Sequence, residues 1–237
     1  MCTVTVVPDG DGFRMICNRD ERRDRPAALP PTVHGVGDRT AVYPVDPHGG
    51  GTWVGLNDCG LAATLLNRTP GVGARRRAAA FARSRGLIVP TLLGCASLDA
   101  ALSEAQGLEP SEFDLFRLLL VERMTAGIVT SDGRTLSVET SNLTAPIFLT
   151  SSSLGDSLVE EPRRRLFGSM VLSKPPSEWL DAQSRFHAHR WRSQSAISVT
   201  MARADARTVS RTFVQVTATG QRLRYYPLRG GPPVRAA

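Results

Sequence analysis

A cysteine directly after the initiator methionine is the residue of this 237-residue chain best suited to nucleophilic chemistry. Removal of Met1 would leave a thiol and a free α-amine on Cys2. An α-amine has an ordinary pKa of about 7.7 to 8.0, so it could accept the thiol proton near neutrality without a histidine. The thiolate is the reactive form, and a nearby Arg19 would favour it. From Cys2 alone, a small buried residue at a strand start is the simpler interpretation.

The first twenty-one residues predict a β-hairpin that positions this cysteine, because turn-forming residues separate two stretches with strand-like patterns. If the turn is centred on Gly10, Cys2 lies opposite Asn18, and Asp20 is a diagonal neighbour on the same face. A register shifted by one residue would bring Arg19 beside Cys2 instead. Either register places the thiol next to a cluster of polar and charged side chains.

The composition is that of a globular protein, with 41% hydrophobic and 22% charged residues. A net charge of +7 and an isoelectric point near 10.0 raise nucleic-acid binding as a function. However, Lys174 is the only lysine, which indicates the arginine bias of a GC-rich genome. The arginine runs at 75–77 and 163–165 lack interleaved aromatic residues, so we expect solvated helix faces or ends, with weak anion binding as the alternative. We predict no nucleic-acid partner.

The spacing of the cysteines and the hydropathy pattern give expectations about metal binding and about the cellular compartment. Cys2, Cys17, Cys59 and Cys95 are widely spaced and form no paired-cysteine metal motif. The sequence contains neither a signal region nor an apolar run long enough to span a bilayer. We therefore expect no metal, no membrane association and a cytoplasmic location with reduced thiols.

Several short motifs follow one another along nearly the whole chain. They are Met1-Cys2, Asn18-Arg19-Asp20-Glu21, Arg25-Pro26, residues 50–55, residues 60–63 with Asn67, residues 84–89 and residues 192–195. In this order they resemble the NRDE family, the relatives of transport and Golgi organisation protein 2. The segment 55–67 also resembles the choloylglycine hydrolase and penicillin V acylase group of N-terminal-nucleophile hydrolases.

The resemblance implies an enzyme that attacks a small-molecule amide or acyl substrate, most plausibly hydrolysing a linear amide, without a cofactor. Cys2 would be the nucleophile, and Asn67 would donate a hydrogen bond to the oxyanion. The catalytic residues implied are Cys2, Arg19, Asp20, Asn67 and Arg192. The substrate-binding residues implied are Asn18, Glu21, Thr52, Trp53 and Ser152.

Two departures from the related sequences affect this assignment. The choloylglycine group has arginine, asparagine, a spacer and aspartate on the second strand, whereas this chain has Asn18-Arg19-Asp20-Glu21. Either Asp20 or Glu21 could hold the amine, and Asp20 is preferred because it shares the predicted face with Cys2. The related groups also place asparagine near Ser152, whose hydroxyl reaches less far.

Other interpretations of these residues remain open. Asn67 could be a turn-forming asparagine, Arg192 an exposed arginine at a strand end, and Trp53 a core residue. A different class of function is a non-enzymatic binder, because eukaryotic relatives are associated with haem or acyl-CoA and lipid handling. In that case haem is the candidate ligand, and Cys2 or His48 is the candidate contact. The sequence gives no oligomeric state.

The predicted strands and helices indicate one domain over residues 1–229 and a flexible tail over 230–237. The fold class is α+β, and the resemblance implies a four-layer αββα sandwich of two stacked antiparallel sheets. We expect a loop over 22–39, an edge strand over 40–45, close backbone approach at the glycines 49–51, and a strand over 193–202. Helices are expected within 77–106, interrupted at Pro90 and capped at Ser97, and within 157–188.

Overall fold

Two antiparallel sheets form the middle of the molecule. The computed structural model describes residues 2–69, 83–228 and 234–236, the last three as backbone only. The first sheet has the order β10-β1-β2-β11-β12-β13. Its strands are β1 (Cys2–Asp9), β2 (Gly12–Arg22), β10 (Ile147–Thr150), β11 (Ala206–Thr217), β12 (Gly220–Pro227) and β13 (Val234–Ala236).

The second sheet is a meander in which each strand pairs with the next one along the chain, from β3 to β9. Its strands are β3 (Leu29–Val36), β4 (Arg39–Val45), β5 (Val54–Asn57), β6 (Ala62–Asn67), β7 (Phe116–Glu122), β8 (Thr125–Ser131) and β9 (Leu136–Asn142). Neighbouring strands are joined by short turns, except between β4 and β5, which a loop over 46–53 connects, and between β6 and β7, where the chain leaves the sheet and returns.

The helices cover the outer faces of the two sheets. Helices α1 (Ile88–Leu93) and α2 (Leu98–Gln106) pack on the second sheet. Helix α3 (Asp156–Phe167), a π-helical turn (Gly168–Leu172) and helix α4 (Trp179–Ala188) pack on the first. No helix in the part of the chain that the structure describes is both long and apolar enough to cross a membrane.

The central core lies between the two sheets and explains why β1 and β2 are buried on both faces. Val4, Phe13 and Met15 contribute to this core from the first sheet, and Leu119 contributes from the second. The opposite face of β1 and β2 is covered by helices, so polar residues there are buried as well. The αββα sandwich that the sequence predicts is therefore confirmed.

Several local predictions are wrong. Residues 22–39 contain the strand β3, which accommodates Pro30 and Pro31 because it lies at a sheet edge with an irregular register. This strand covers β4, so 40–45 is not an edge. Residues 193–202 form a loop with one short 3₁₀ turn (Ser195–Ile197) and not a strand.

The helical segment after β6 is interrupted at a different residue from the one that the sequence predicts. Pro90 lies in the first turn of α1, where its missing N–H has no carbonyl partner to lose, and the break follows at Gly94. Ser97 caps α2 as predicted, since its hydroxyl accepts a hydrogen bond from the Ala100 N–H at 3.2 Å. The predicted alanine-rich helix start falls mostly on residues outside the described part. Residues 234–236, within the predicted tail, pair with β12.

Candidate active site

Cys2 is the first residue of β1, and its side chain points into the space between the two sheets. It is only 3% exposed, yet it lines a cavity of about 270 Å³. The cavity collects six of the residues that the sequence singled out, from both sheets and the loops between them. They are Cys2, Arg19, Glu21, Thr52, Trp53 and Asn67.

The register of the first hairpin corrects the predicted neighbours of the thiol. Val7 pairs with Arg14, and Cys2 pairs with Arg19 rather than with Asn18. The reason is the turn, which has two loop residues, Gly10 and Asp11, with Gly10 at a φ of 63°. A glycine first in a two-residue loop suits the tight turns that match strand twist. The thiol and the Arg19 guanidinium therefore share the face that looks into the cavity.

Asp20 was preferred as the partner of the Cys2 amine because the two side chains were expected on the same face of the sheet. The observed register places them on opposite faces. Asp20 follows Arg19 on the strand, so its side chain points to the helix layer. There its carboxylate accepts a hydrogen bond from the Thr208 hydroxyl at 2.6 Å and lies 4.0 Å from the Arg163 guanidinium. Burial raises the pKa of Asp20, and Arg163 partly offsets that effect.

The main chain of Cys2 is held by a serine that the sequence did not single out. The Cys2 nitrogen donates to the Ser151 hydroxyl at 3.2 Å, and the Ser151 N–H donates to the Cys2 carbonyl at 2.9 Å. The next residue, Ser152, is engaged elsewhere, because its N–H donates to Asp156 at 2.8 Å. Ser151 directly follows β10 and is buried, so its main-chain hydrogen bond to Cys2 fixes the position of its hydroxyl.

A network of two arginines and two carboxylates lies beside the thiol. The Arg19 guanidinium donates to Asp46 at 2.6 Å and to Glu21 at 3.2 Å, and it stacks 4.0 Å from the centre of the Trp53 ring. Arg25 binds the same Asp46 oxygen at 2.8 Å. The four charges balance, and the stacking on Trp53 limits the movement of Arg19.

Asp46 also organises the loop between β4 and β5. Its second oxygen accepts from the N–H groups of His48 and Gly49, at 3.0 and 3.4 Å. One carboxylate therefore fixes the loop, Arg19 of β2 and Arg25 of the segment between β2 and β3. His48 itself is exposed and does not line the cavity.

The opposite wall of the cavity contains Thr52, Trp53 and Asn67. Thr52 is buried, and its hydroxyl donates to the Val54 carbonyl at 3.0 Å, so it stabilises the loop. Trp53 is 6% exposed and belongs to the core between the sheets while one part of it reaches the cavity. Asn67 is partly exposed at the end of β6, as the sequence predicts.

Besides Asp20 and Ser152, two more of the predicted residues do not line the cavity. Arg192 is exposed in the loop after α4 and does not line the cavity. Asn18 is fully buried on the helix-facing side of β2, where its amide donates to the carbonyls of His187 and Val199 at 2.9 and 3.1 Å. We conclude that Asn18 stabilises the packing of the helix layer on the sheet.

Sequence reasoning missed the residues whose contacts depend on the tertiary structure. Ser151 is 149 positions from Cys2, and Asp46 is 27 positions from Arg19. The available signals were indirect: a polar run after a predicted strand for Ser151, and an aspartate before a glycine run for Asp46. The segment 83–86 also contributes to the cavity, through Arg83 and Arg85, which pair with Glu112 and Asp114.

Within the described ranges, no three side chains of His, Cys, Asp or Glu come close enough together to hold a metal ion. The side chains that line the cavity offer a thiol, four guanidinium groups, carboxylates and an amide donor.

The structure is an αββα sandwich with a cavity that is lined by a cysteine at the start of β1. The chain belongs to the Transport and Golgi organisation 2 family, whose model matches residues 1–221. A comparison with curated protein sequences found no match.

Solved structures of low sequence identity share the fold. The N-acylethanolamine-hydrolyzing acid amidase ortholog of Caenorhabditis elegans is 12% identical, with a TM-score of 0.62, over 90% of this chain and 92% of that chain. Penicillin V acylase from Agrobacterium tumefaciens is 13% identical, with a TM-score of 0.53, over 96% of this chain and 86% of that chain. At these identities the similarity establishes the sandwich architecture.

Proposed function

We propose that this protein is a cysteine N-terminal-nucleophile enzyme that cleaves a linear amide bond, or transfers its acyl group, after removal of Met1. The observation that carries the proposal is that the Cys2 thiol lines a cavity together with Arg19 and Asn67. The names of the two structural relatives, an acylase and an amidase, fit the same class of reaction.

In the first half of the reaction, the Cys2 sulfur attacks the carbonyl carbon of the amide and forms a C–S bond. The thiol proton passes to the α-amine of the same residue, which has a suitable ordinary pKa of about 8. The carbonyl oxygen becomes an oxyanion that accepts a hydrogen bond from the Asn67 amide. Collapse of this intermediate breaks the C–N bond, and the leaving amine takes the proton back from the α-ammonium.

In the second half, water attacks the thioester that remains on Cys2. The C–S bond breaks, the acyl group leaves as a carboxylic acid, and the thiol is regenerated. An amine or alcohol in place of water would make the same site an acyltransferase. The proton transfers again use the α-amine, so the cycle requires no histidine or metal.

The charged network has a positioning role in this scheme. Arg19 lies opposite Cys2 and favours its thiolate, while Asp46 and Trp53 keep the guanidinium in place. The Ser151 hydroxyl accepts a hydrogen bond from the Cys2 nitrogen, so we assign Ser151 the orientation of the amine. Its hydroxyl can accept a hydrogen bond from the amine while the amine keeps its lone pair for the proton.

The cavity size favours a small-molecule substrate, since about 270 Å³ lies at the lower end of the volumes of ligand pockets. A reactive thiol must also remain reduced. We therefore assign the protein to a reducing compartment, and the cytoplasm is our choice.

The test is turnover of a panel of small N-acyl amides by the wild-type protein, the Cys2→Ala variant and a Cys59→Ala control. Cys59 is an exposed free cysteine, so its loss should leave turnover unchanged. We expect Cys2→Ala to abolish turnover and to eliminate the acyl adduct detected by intact mass after rapid acid quenching. Turnover that persists in Cys2→Ala would disprove the mechanism.

A further inference from the structure

The carboxylate of Asp156 joins the two segments that carry Asn67 and Ser151. One of its oxygens accepts a hydrogen bond from the Ser152 N–H at 2.8 Å, and the other accepts one from the Thr69 N–H at 2.9 Å. The Asp156 N–H in turn donates to the Thr69 carbonyl at 3.0 Å. Asp156 therefore binds both segments through its side chain and one of them also through its main chain.

The two segments extend from different sheets. Thr69 lies two residues beyond Asn67, which ends β6 in the second sheet. Ser152 follows Ser151, which comes directly after β10 in the first sheet. Strand pairing fixes each strand within its own sheet, but it does not fix one sheet relative to the other. The Asp156 carboxylate therefore adds a direct link between the two sheets beside Asn67.

This link lies between two parts of the proposed reaction. On the side of the first sheet, Ser151 holds the main chain of Cys2 through two hydrogen bonds. On the side of the second sheet, Asn67 supplies the amide that is proposed to bind the oxyanion. Such a donor is effective at about 2.7 to 3.1 Å from the oxyanion, so a displacement of about 1 Å between the two sides would weaken it strongly.

A carboxylate is the side-chain group that suits the position of Asp156. An ionised carboxylate offers two acceptor oxygens and no donor, so it can accept one N–H from each segment. An asparagine would satisfy one of the two N–H groups, because its amide nitrogen does not accept. Asp156 is also the first residue of α3, where the helix dipole favours a negative charge.

We propose that Asp156 is a positioning residue that holds the end of β6 against the segment after β10 and so keeps the Asn67 amide within reach of the oxyanion formed at Cys2. Asp156 does not line the cavity, so it acts through Asn67 and not on the substrate. This inference rests on the proposed function, because it concerns the intermediate formed at Cys2.

The test is a double-mutant cycle on turnover with Asp156→Ala and Asn67→Ala. Asp156→Asn keeps one acceptor oxygen and takes the place of the alanine variant if that variant folds poorly. Asp99→Ala is the matched control, because Asp99 is exposed and lies in the first turn of α2. Both alanine substitutions therefore remove a carboxylate from the start of a helix.

We expect Asn67→Ala to lower kcat by about 100- to 1,000-fold, the usual effect of losing an oxyanion donor. Asp156→Ala should lower kcat by about 10- to 100-fold with little change in KM, because a misplaced donor affects the transition state more than the bound substrate. In the Asn67→Ala background, Asp156→Ala should change kcat by less than about threefold, since no donor is left to position. Asp99→Ala should leave kcat unchanged.

A merely structural role would give a different pattern. If Asp156→Ala lowers kcat by the same factor in both backgrounds, or does not lower it in either, the proposal is overturned. Alkylation of Cys2 by iodoacetamide is the second readout, because the sulfur displaces iodide and forms a C–S bond without an oxyanion. Its rate in Asp156→Ala should equal that of the wild type, and a rate that falls in parallel with kcat would also overturn the proposal.

The outcomes separate this proposal from the proposed function. If Cys2→Ala retains turnover, the proposed function itself is wrong. If Cys2→Ala abolishes turnover while Asp156→Ala acts equally in both backgrounds, the mechanism stands and the role of Asp156 is rejected.

Discussion

Arg163, Arg164 and Arg165 are consecutive and identical in type, yet they occupy different environments. The sequence predicted that all three are solvated, which is wrong for Arg163, because its side chain is 1% exposed. It donates to the hydroxyls of Thr3 and Thr150 at 2.8 and 2.7 Å. The rotation of about 100° per residue in a helix brings one of three neighbours to the buried side. Three consecutive arginines give no sign in the sequence that one of them is buried.

The residue-scale prediction follows from that burial. Replacing Arg163 by Met should lower the free energy of unfolding by about 3 to 5 kcal/mol, because Asp20 stays buried after its cation is lost. Arg165→Met is the matched control, since Arg165 is 78% exposed and pairs only with Glu161 among the residues described. Urea denaturation of both variants tests this. Equal losses in the two variants would show that the buried position of Arg163 is unimportant.

At the scale of elements, the cavity depends on two loops that touch at glycines. Residues 46–51 and 83–86 meet where the Thr52 N–H donates to the Gly86 carbonyl at 2.9 Å. A Cβ on Gly51 would lie 2.3 Å from the Gly86 carbonyl carbon and oxygen. The close backbone approach that the glycine run predicted is thus confirmed at Gly51.

Gly51→Ala should therefore force the two loops apart and destabilise the protein by about 1 to 3 kcal/mol, the usual cost of overpacking. Because Arg83 and Arg85 lie on the displaced loop, the access of iodoacetamide to Cys2 should also change. Gly35→Ala on β3 is the control, since its Cβ would meet nothing within 4 Å. Thermal melting with Cys2 alkylation measures both effects. A Gly51→Ala variant that behaves like Gly35→Ala would refute the close packing.

The hairpin shows where prediction from sequence reached its limit. Strand pattern and turn residues predicted the hairpin, but the register needed the number of loop residues, which Pro8–Gly12 leaves open. A shift of one position exchanged the faces of Asn18 and Arg19. For the same reason the sequence placed Asp20 on the wrong face of the sheet, whereas the grouping of Cys2 with Asn67 did not depend on the register.

At the scale of the whole molecule, the sequence pattern predicted an α+β fold, and the resemblance to a known family implied its four layers. The sequence could not predict hydrogen bonds between residues that are distant along the chain, such as those of Ser151 with Cys2 and of Asp46 with Arg19. A further example is His187 of α4, which is fully buried against the first sheet. Its ring nitrogens lie 2.8 Å from the Thr5 hydroxyl and 3.0 Å from the Asn18 amide oxygen.

This burial makes stability depend on pH. Desolvation lowers the pKa of His187 well below 6.5, and the nearby Arg211 adds to this effect. In the unfolded chain the imidazole has its ordinary pKa of about 6.5, so below that pH the unfolded state binds more protons and stability falls. The loss is at most about 1.4 kcal/mol per pH unit until the folded-state pKa is reached.

We expect the melting temperature of the wild-type protein to fall more steeply between pH 8 and pH 5 than that of His187→Gln. The variant should be less stable at pH 8, because glutamine does not reproduce the two contacts of the ring. The difference between the two melting temperatures should become smaller as the pH falls. Differential scanning fluorimetry across this range measures it. A gap of constant size would show that His187 does not titrate on unfolding.

The central claim is that the mature chain begins with a reactive Cys2. The most direct test is peptide mass mapping of the untagged protein after brief exposure to substoichiometric iodoacetamide at pH 7. The account predicts an N-terminal peptide that lacks Met1 and is alkylated at Cys2 before the exposed Cys59 reacts. An N-terminal peptide that retains Met1, with Cys2 unmodified while Cys59 is alkylated, would contradict it.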